Sequence, residues 1–157
     1  MIAVSTTLPI ITRLEPSFES LGRILTFISQ VEPFSAYGLG TTVRAIQDQL
    51  VSGEHAAAMA PNGEMVGYAG WVITSSLIAQ LWIADKAALR PVERPGDAAA
   101  LTIVVSRTRE STTRLIRAAR EFNPGVPVFF KRGYEGALKP SKKAAVFNRT
   151  EGRGPSF

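Results

Sequence analysis

Residues 54–107 read EHAAAMAPNGEMVGYAGWVITSSLIAQLWIADKAALRPVERPGDAAALTIVVSR, and this stretch decides the fold. Apolar runs at 54–60 and 65–74 flank Pro61-Asn62-Gly63. Asn-Gly between two such runs signals a hairpin, because a type I′ turn needs positive φ at both central residues. Ser75 then caps a helix whose expected apolar face is Leu77, Ile78, Leu81 and Trp82, with Asp85-Lys86 near its end. In 86–97, Arg90-Pro91 and Arg94-Pro95 hold the backbone extended, since a residue preceding proline is driven out of the helical region. Ala98 to Ser106 is a continuous run of small and β-branched residues, as expected of a strand covered on both faces. Three adjacent strands therefore form the centre of a sheet.

Outward from this centre the elements alternate. Met1 to Leu14 is β-branched without helical period and reads as an arm or edge strand. Pro16-Ser17 opens a helix in which Phe18, Leu21, Ile24, Leu25 and Ile28 recur at the spacing of a buried face, and Pro33 ends it. A loop through Phe34, Ser35, Ala36, Tyr37 and Gly38 leads to a second helix over about Thr41 to Val51, with Val43, Ile46 and Leu50 inward and Gly53 as its stop. After the central stretch, SRTREST at 106–112 starts a helix running to Phe122, on which Arg114, Arg117 and Arg120 form a basic stripe opposite Leu115, Ile116 and Ala119. Asn123-Pro124-Gly125 breaks it; 126–131 reads as a strand, 132–143 as a basic loop and 143–149 as a final strand. Residues 150–157 form a polar Gly- and Pro-containing tail. The expectation is one α/β domain over 1–149, with a mixed, mainly antiparallel sheet and helices on its faces.

Composition narrows the function classes. A chain of 157 residues with 45% hydrophobic content fills one core. No apolar run approaches the roughly 20 residues that span a bilayer, and the start lacks a signal-peptide pattern, so the expected setting is the cytoplasm or a virion-like particle assembled there. The absence of cysteine excludes disulfides, thiolate metal sites and cysteine nucleophiles; with a single histidine, no metal site is expected. Residues 1–85 carry three basic against seven acidic side chains, whereas residues 86–157 carry fifteen against six. The positive field of the second half suits an acidic partner, whether an acyl carrier protein, a nucleic acid or another protein's acidic face, or equally a solvated surface. No zinc-finger, RRM or GxxG signature favours nucleic acid.

Gly67 and Gly70 flank Tyr68 and precede Trp71, leaving bare backbone within a strand. They read either as the border of a groove that admits something flat, or as a bulge and packing positions beside a core tryptophan. His55, the only histidine, stands beside Glu54 at a strand start and reads as a strand-edge residue.

The MVGYAGW strand, the Pro95-Gly96-Asp97 turn ahead of an apolar strand, and Leu21-Gly22 in the first helix together resemble the toxin-activating lysine acyltransferases, enzymes with a GNAT-type acyltransferase fold that fatty-acylate RTX protoxins. The resemblance spans most of the chain. It implies transfer from an acyl carrier protein thioester to a lysine amine of a protein acceptor, with an acyl-phosphopantetheine chain running past Gly70 and Trp71. Coenzyme A-using GNAT enzymes carry a glycine-rich R/QxxGxG/A turn after the central strand; here that turn has no glycine, in keeping with a carrier-protein donor. Arg107 and Arg109 would then meet the phosphopantetheine phosphate or acidic carrier residues, although they equally suit the cap of a solvated helix. The same alignment puts Ser35 and Ile103 where the family has its catalytic His and Asp. A serine hydroxyl is a poor base and isoleucine accepts no proton, so Glu64, Asp85 or Asp97 would have to substitute. Two functions follow from different classes: such an acyltransferase, active or not, or a GNAT-like module without catalysis that binds or builds a larger assembly, such as a homo-oligomer or a phage-like particle.

Overall fold

The computed structural model describes residues 7–32, 34–93, 95–132 and 143–147. Its elements are β1 (Ile10–Thr12), α1 (Phe18–Ile28), a 3₁₀ turn (Phe34–Ala36), α2 (Leu39–Ser52), β2 (His55–Met59), β3 (Met65–Thr74), α3 (Ser76–Ile83), β4 (Ala98–Ser106), α4 (Arg109–Phe122), β5 (Val128–Arg132) and β6 (Lys143–Phe147). The six strands form one sheet in sequence order. Every pairing is antiparallel except β4 with β5, which α4 connects as a parallel crossover. The α/β expectation holds. The proposed stop at Pro33, the 132–143 loop beyond Arg132 and the 150–157 tail lie outside the described residues.

Local chemistry fixes the helix ends. Ser17, Ser75 and Thr108 cap α1, α3 and α4 by accepting a backbone N–H three residues on. Gly53 ends α2 in the left-handed conformation, φ +74°. Two core layers sandwich the sheet. Ile24, Phe27 and Ile28 of α1 and Ile46 and Leu50 of α2 pack on Tyr68, Ile103 and Val105; Leu115, Ala118 and Ala119 of α4 pack on Ala56, Ala69, Trp71 and Leu101 of the other face. Ala79 of α3 covers Ala98 and Phe129.

Four expectations need correction. Phe18, the first residue of α1, is 86% exposed and off the buried face, which begins at Ser20 and Leu21. The hairpin turn is not type I′: Gly63 N–H donates to Ala60 O at 2.9 Å, and only Gly63 has positive φ, +85°. Pro61 locks its own φ near −65°, so Pro61-Asn62 form a type I turn followed by a left-handed glycine. Leu77 does not face inward; it is 66% exposed, and α3 buries only Ile78 and Ala79, because this short helix meets the sheet along a narrow strip. His55 does open β2, but it is fully buried there and is not an exposed strand end.

Candidate functional site

The central feature is an irregularity in β4. Gly70 pairs with Ile103 and Trp71 with Leu101, so Thr102 is an extra residue opposite no partner. A bulge of this kind re-aims the strand. Its pairing to β5 covers only Ala99–Val128, Ala100–Phe129 and Leu101–Phe130, and β4 then runs five residues further to Ser106. The bulge stands where the parallel pairing stops.

A buried polar chain holds the bulge. Tyr68 donates its hydroxyl to Gln49 Oε1 at 2.7 Å, Gln49 Nε2 donates to Thr102 Oγ1 at 3.3 Å, and Thr102 donates to Gly70 O at 3.2 Å. Burial pushes the Tyr68 hydroxyl far above the ordinary phenol range, so it acts as a neutral donor. The Gln49 amide occupies the space above Gly70: a Cβ there would sit 2.0 Å from Gln49 Oε1. Gly67 serves the opposite face, where a Cβ would lie 2.8 Å from Leu115 Cδ1. Both glycines thus admit side chains of this same chain. Gln49 and Thr102 were missed in the sequence, although a glutamine one helical turn after Ile46 and a threonine inside the 98–105 apolar run are each a visible signal.

His55 sits beside this chain. Its Nδ1 lies 3.0 Å from Gln49 O and its Nε2 accepts the Leu14 N–H at 2.9 Å. A carbonyl only accepts and an amide N–H only donates, so the ring is neutral with its proton on Nδ1. Burial, aided by the charge of Arg13, lowers its pKa, against the raising effect of the Gln49 carbonyl. It ties the segment after β1 to the end of α2.

The proposed site residues do not form one cluster. Trp71 is 1% exposed and packs near Phe122 of α4, with ring centroids 6.0 Å apart. Arg107 donates its backbone N–H to Val66 O, five residues along β3 from Trp71, or about 17 Å. A groove bordered jointly by Gly70, Trp71 and Arg107 is therefore absent: Gly70 lies under Gln49 and Trp71 belongs to the core. Arg107 and Arg109, by contrast, are neighbours at the exposed turn between β4 and α4. Arg107 donates to Glu64 Oε1 at 2.5 Å and sits 5.8 Å from the Phe27 ring, on a cleft of about 520 Å³ also lined by Arg23, Thr26 and Gln30. The hydrogen bond and charge of Arg107 hold the Glu64 carboxyl below its usual range.

Ser35 is exposed and donates to the Glu32 carboxylate, at a cleft of about 370 Å³ between α1 and α2. Ile103 is buried in the core beneath α1 and α2. The three substitute carboxylates all have structural partners: Glu64 pairs with Arg107, Asp85 with Lys131, and Asp97 accepts the Ser76 N–H at 2.7 Å at the start of α3. On the basic stripe, Arg114 donates to Pro9 O, while Arg117 is exposed. Among the described residues no group of three or more His, Asp or Glu is placed to hold a metal ion, and no helix is long and apolar enough to cross a membrane.

Neither protein-family profiles nor curated protein sequences match the chain. Solved structures do. A GNAT-like decarboxylase, GphF, in complex with isobutyryl-CoA superposes with a TM-score of 0.59 at 15% identity, over 80% of this chain and 67% of that one. A GNAT-family acetyltransferase from Streptococcus agalactiae gives 0.51 at 12% identity, over 80% and 76%. At such identities the likeness speaks for the backbone alone. This chain has the GNAT-type acyltransferase fold.

Proposed function

We propose that this protein recognises the acyl-phosphopantetheine arm of an acyl carrier protein, as the resemblance to the toxin-activating lysine acyltransferases implies, and that its capacity to pass the acyl group to a protein lysine is slow or lost. The observation that carries the reading is the end of β4–β5 pairing at the Thr102 bulge, with the turn bearing Arg107 and Arg109 at the end of the same strand. An extended thioester chain entering there would place its phosphate at the exposed turn. The glycine-free Ser106-Arg107-Thr108-Arg109 sequence supports recognition by side-chain charge rather than a backbone cradle.

Transfer would form a bond from the lysine Nζ to the acyl carbon and break its bond to sulfur, with a proton leaving the amine and the thiol departing. Ser35 and Ile103 supply no base for that proton, which favours the second reading, a GNAT-like binding module within a larger assembly. The test is titration with acyl carrier protein carrying a labelled acyl group. Arg107→Glu and Arg109→Glu should weaken binding, as should added salt. Label transfer should be slight and indifferent to Ser35→Ala. Binding that ignores both charge reversals and salt would overturn carrier recognition; robust transfer would overturn the claim of lost catalysis.

A further inference from the structure

The tip of the β2–β3 hairpin and the end of β4 meet in one half-exposed ion pair, Glu64 with Arg107, and both backbones are tied down. Glu64 O accepts the Ala60 N–H at 2.8 Å, the Glu64 N–H donates to Asn62 Oδ1 at 2.9 Å, and Gly63 N–H closes the turn onto Ala60 O. Arg107 is fixed from its side by its N–H on Val66 O at 3.0 Å. A surface ion pair ordinarily gains little, because ordering two long side chains opposes it. Here both side chains start from fixed backbone, and the guanidinium also lies 5.8 Å from the Phe27 ring.

The cleft of about 520 Å³ beside this pair is lined by the donors Arg23, Thr26, Gln30 and Arg107, and Glu64 is the only carboxylate among its described lining residues. Arg23 is already matched, its Nε 3.7 Å from Glu19 on the same helix, so the cation that Glu64 neutralises is Arg107. Arg107 keeps further N–H donors after the one given to Glu64, so an incoming phosphate can reach it. A carboxylate 2.5 Å away nevertheless cancels the field of the guanidinium and repels a second anion. We infer that Glu64 is the resident anion of a phosphate-binding position at Arg107, and that it holds affinity down until the incoming group takes its place. For acyl carrier protein the inference rests on the reading in which Arg107 meets the phosphopantetheine phosphate; for free phosphate it stands without that reading.

The full isotope-labelled chain, titrated with inorganic phosphate at constant ionic strength and read at the Arg107 amide by NMR, tests it, with acylated carrier protein as a second arm. Glu64→Gln keeps the length and the acceptor oxygen and removes only the charge. It should tighten both ligands about two- to fivefold, the scale of one surface ion pair. In an Arg107→Gln background the same change should gain nothing, whereas the long-range effect of losing one negative charge would persist. A gain for phosphate with no carrier binding by any variant would keep the inference and overturn carrier recognition. Phosphate binding that is absent, unchanged or weakened in Glu64→Gln would overturn the inference, as would a gain that survives the loss of Arg107. Glu64 would then be a clasp between the hairpin and the β4 turn, and carrier binding, measured separately, would stand or fall alone.

Discussion

The narrowest tolerances in this molecule are set by single atoms around Gln49. Because a Cβ at Gly70 would collide with the Gln49 amide, Gly70→Ala should force that amide off both Tyr68 and Thr102. The expected cost is about 1–3 kcal/mol by denaturant unfolding, as for other overpacked sites. Removing the obstructing side chain with Gln49→Ala should make the double variant less unstable than the two losses added, and strict additivity would show that Gly70 has some other role. His55 gives a second test at this scale. Its folded pKa lies below the ordinary 6.5, so the unfolded chain takes up a proton first as pH falls. The stability it contributes is present above pH 6.5 and is lost as pH drops towards the folded pKa. Melting temperature should therefore fall over that window. His55→Phe should flatten the dependence while costing about 1–3 kcal/mol for each partner left bare, the Leu14 N–H and the Gln49 carbonyl. A pH profile unchanged in the variant would refute the assignment. These roles were not legible in the sequence. Gly67 and Gly70 were visible as bare backbone, but what fills them comes from Leu115 and Gln49, 48 and 21 positions away in the chain. A glycine announces room without saying who takes it.

At the scale of elements, sequence reading succeeded where periodicity is local and failed where a neighbour decides. Strands 55–59, 65–74 and 98–106 and the helices around them follow from runs, caps and breakers. The turn type was misread because Asn-Gly was weighed without the proline before it, and the face of α3 because its burial depends on where a short helix meets the sheet. Thr102 shows the limit of pattern reading. Ala98 and Ala100 share the α1–α3 side with Ile103 and Val105, although their numbers differ in parity, because the extra residue resets the alternation. Deleting Thr102 should thus leave every flanking side chain on its present face while removing the bulge. The expected product is a folded chain that has lost affinity for acylated carrier protein. Unimpaired carrier binding would detach the proposed function from the bulge. The Pro-Gly-Asp turn has an equally specific duty: Asp97 accepts the Ser76 N–H, and Gly96 lies so close to β3 that a Cβ would be 2.8 Å from Thr74 O. Asp97→Ala should cost about 1 kcal/mol by removing the acceptor of the Ser76 N–H, measured by thermal unfolding.

Across the molecule, the two core layers share β2, β3 and β4, and among the described residues α1–α2 and α4 bury their apolar stripes on this one sheet. Strands that carry Tyr68 and Ile103 on one face carry Ala69 and Trp71 on the other, so loosening one layer removes the floor of the second. The folded chain should therefore lose both layers together. Ile24→Ala, under α1, and Leu115→Ala, under α4, should each cost about 2–5 kcal/mol, the range for truncating a fully buried aliphatic side chain. Each variant should unfold in one transition, with far-ultraviolet circular dichroism and tryptophan fluorescence coinciding. In a Trp82→Phe background Trp71 makes the comparison informative, because it reports from the α4 layer even when the damage is at Ile24 of α1. If Ile24→Ala unfolded the helical signal while Trp71 kept its buried emission, the layers would be separable. The bulge held by Gln49 from α2 would then be free to open without unfolding α4, and the turn at Arg107 and Arg109, proposed to meet the carrier, would stay anchored on an intact half of the protein. Coincident transitions would instead mean that the proposed carrier end exists only while the entire sheet is covered.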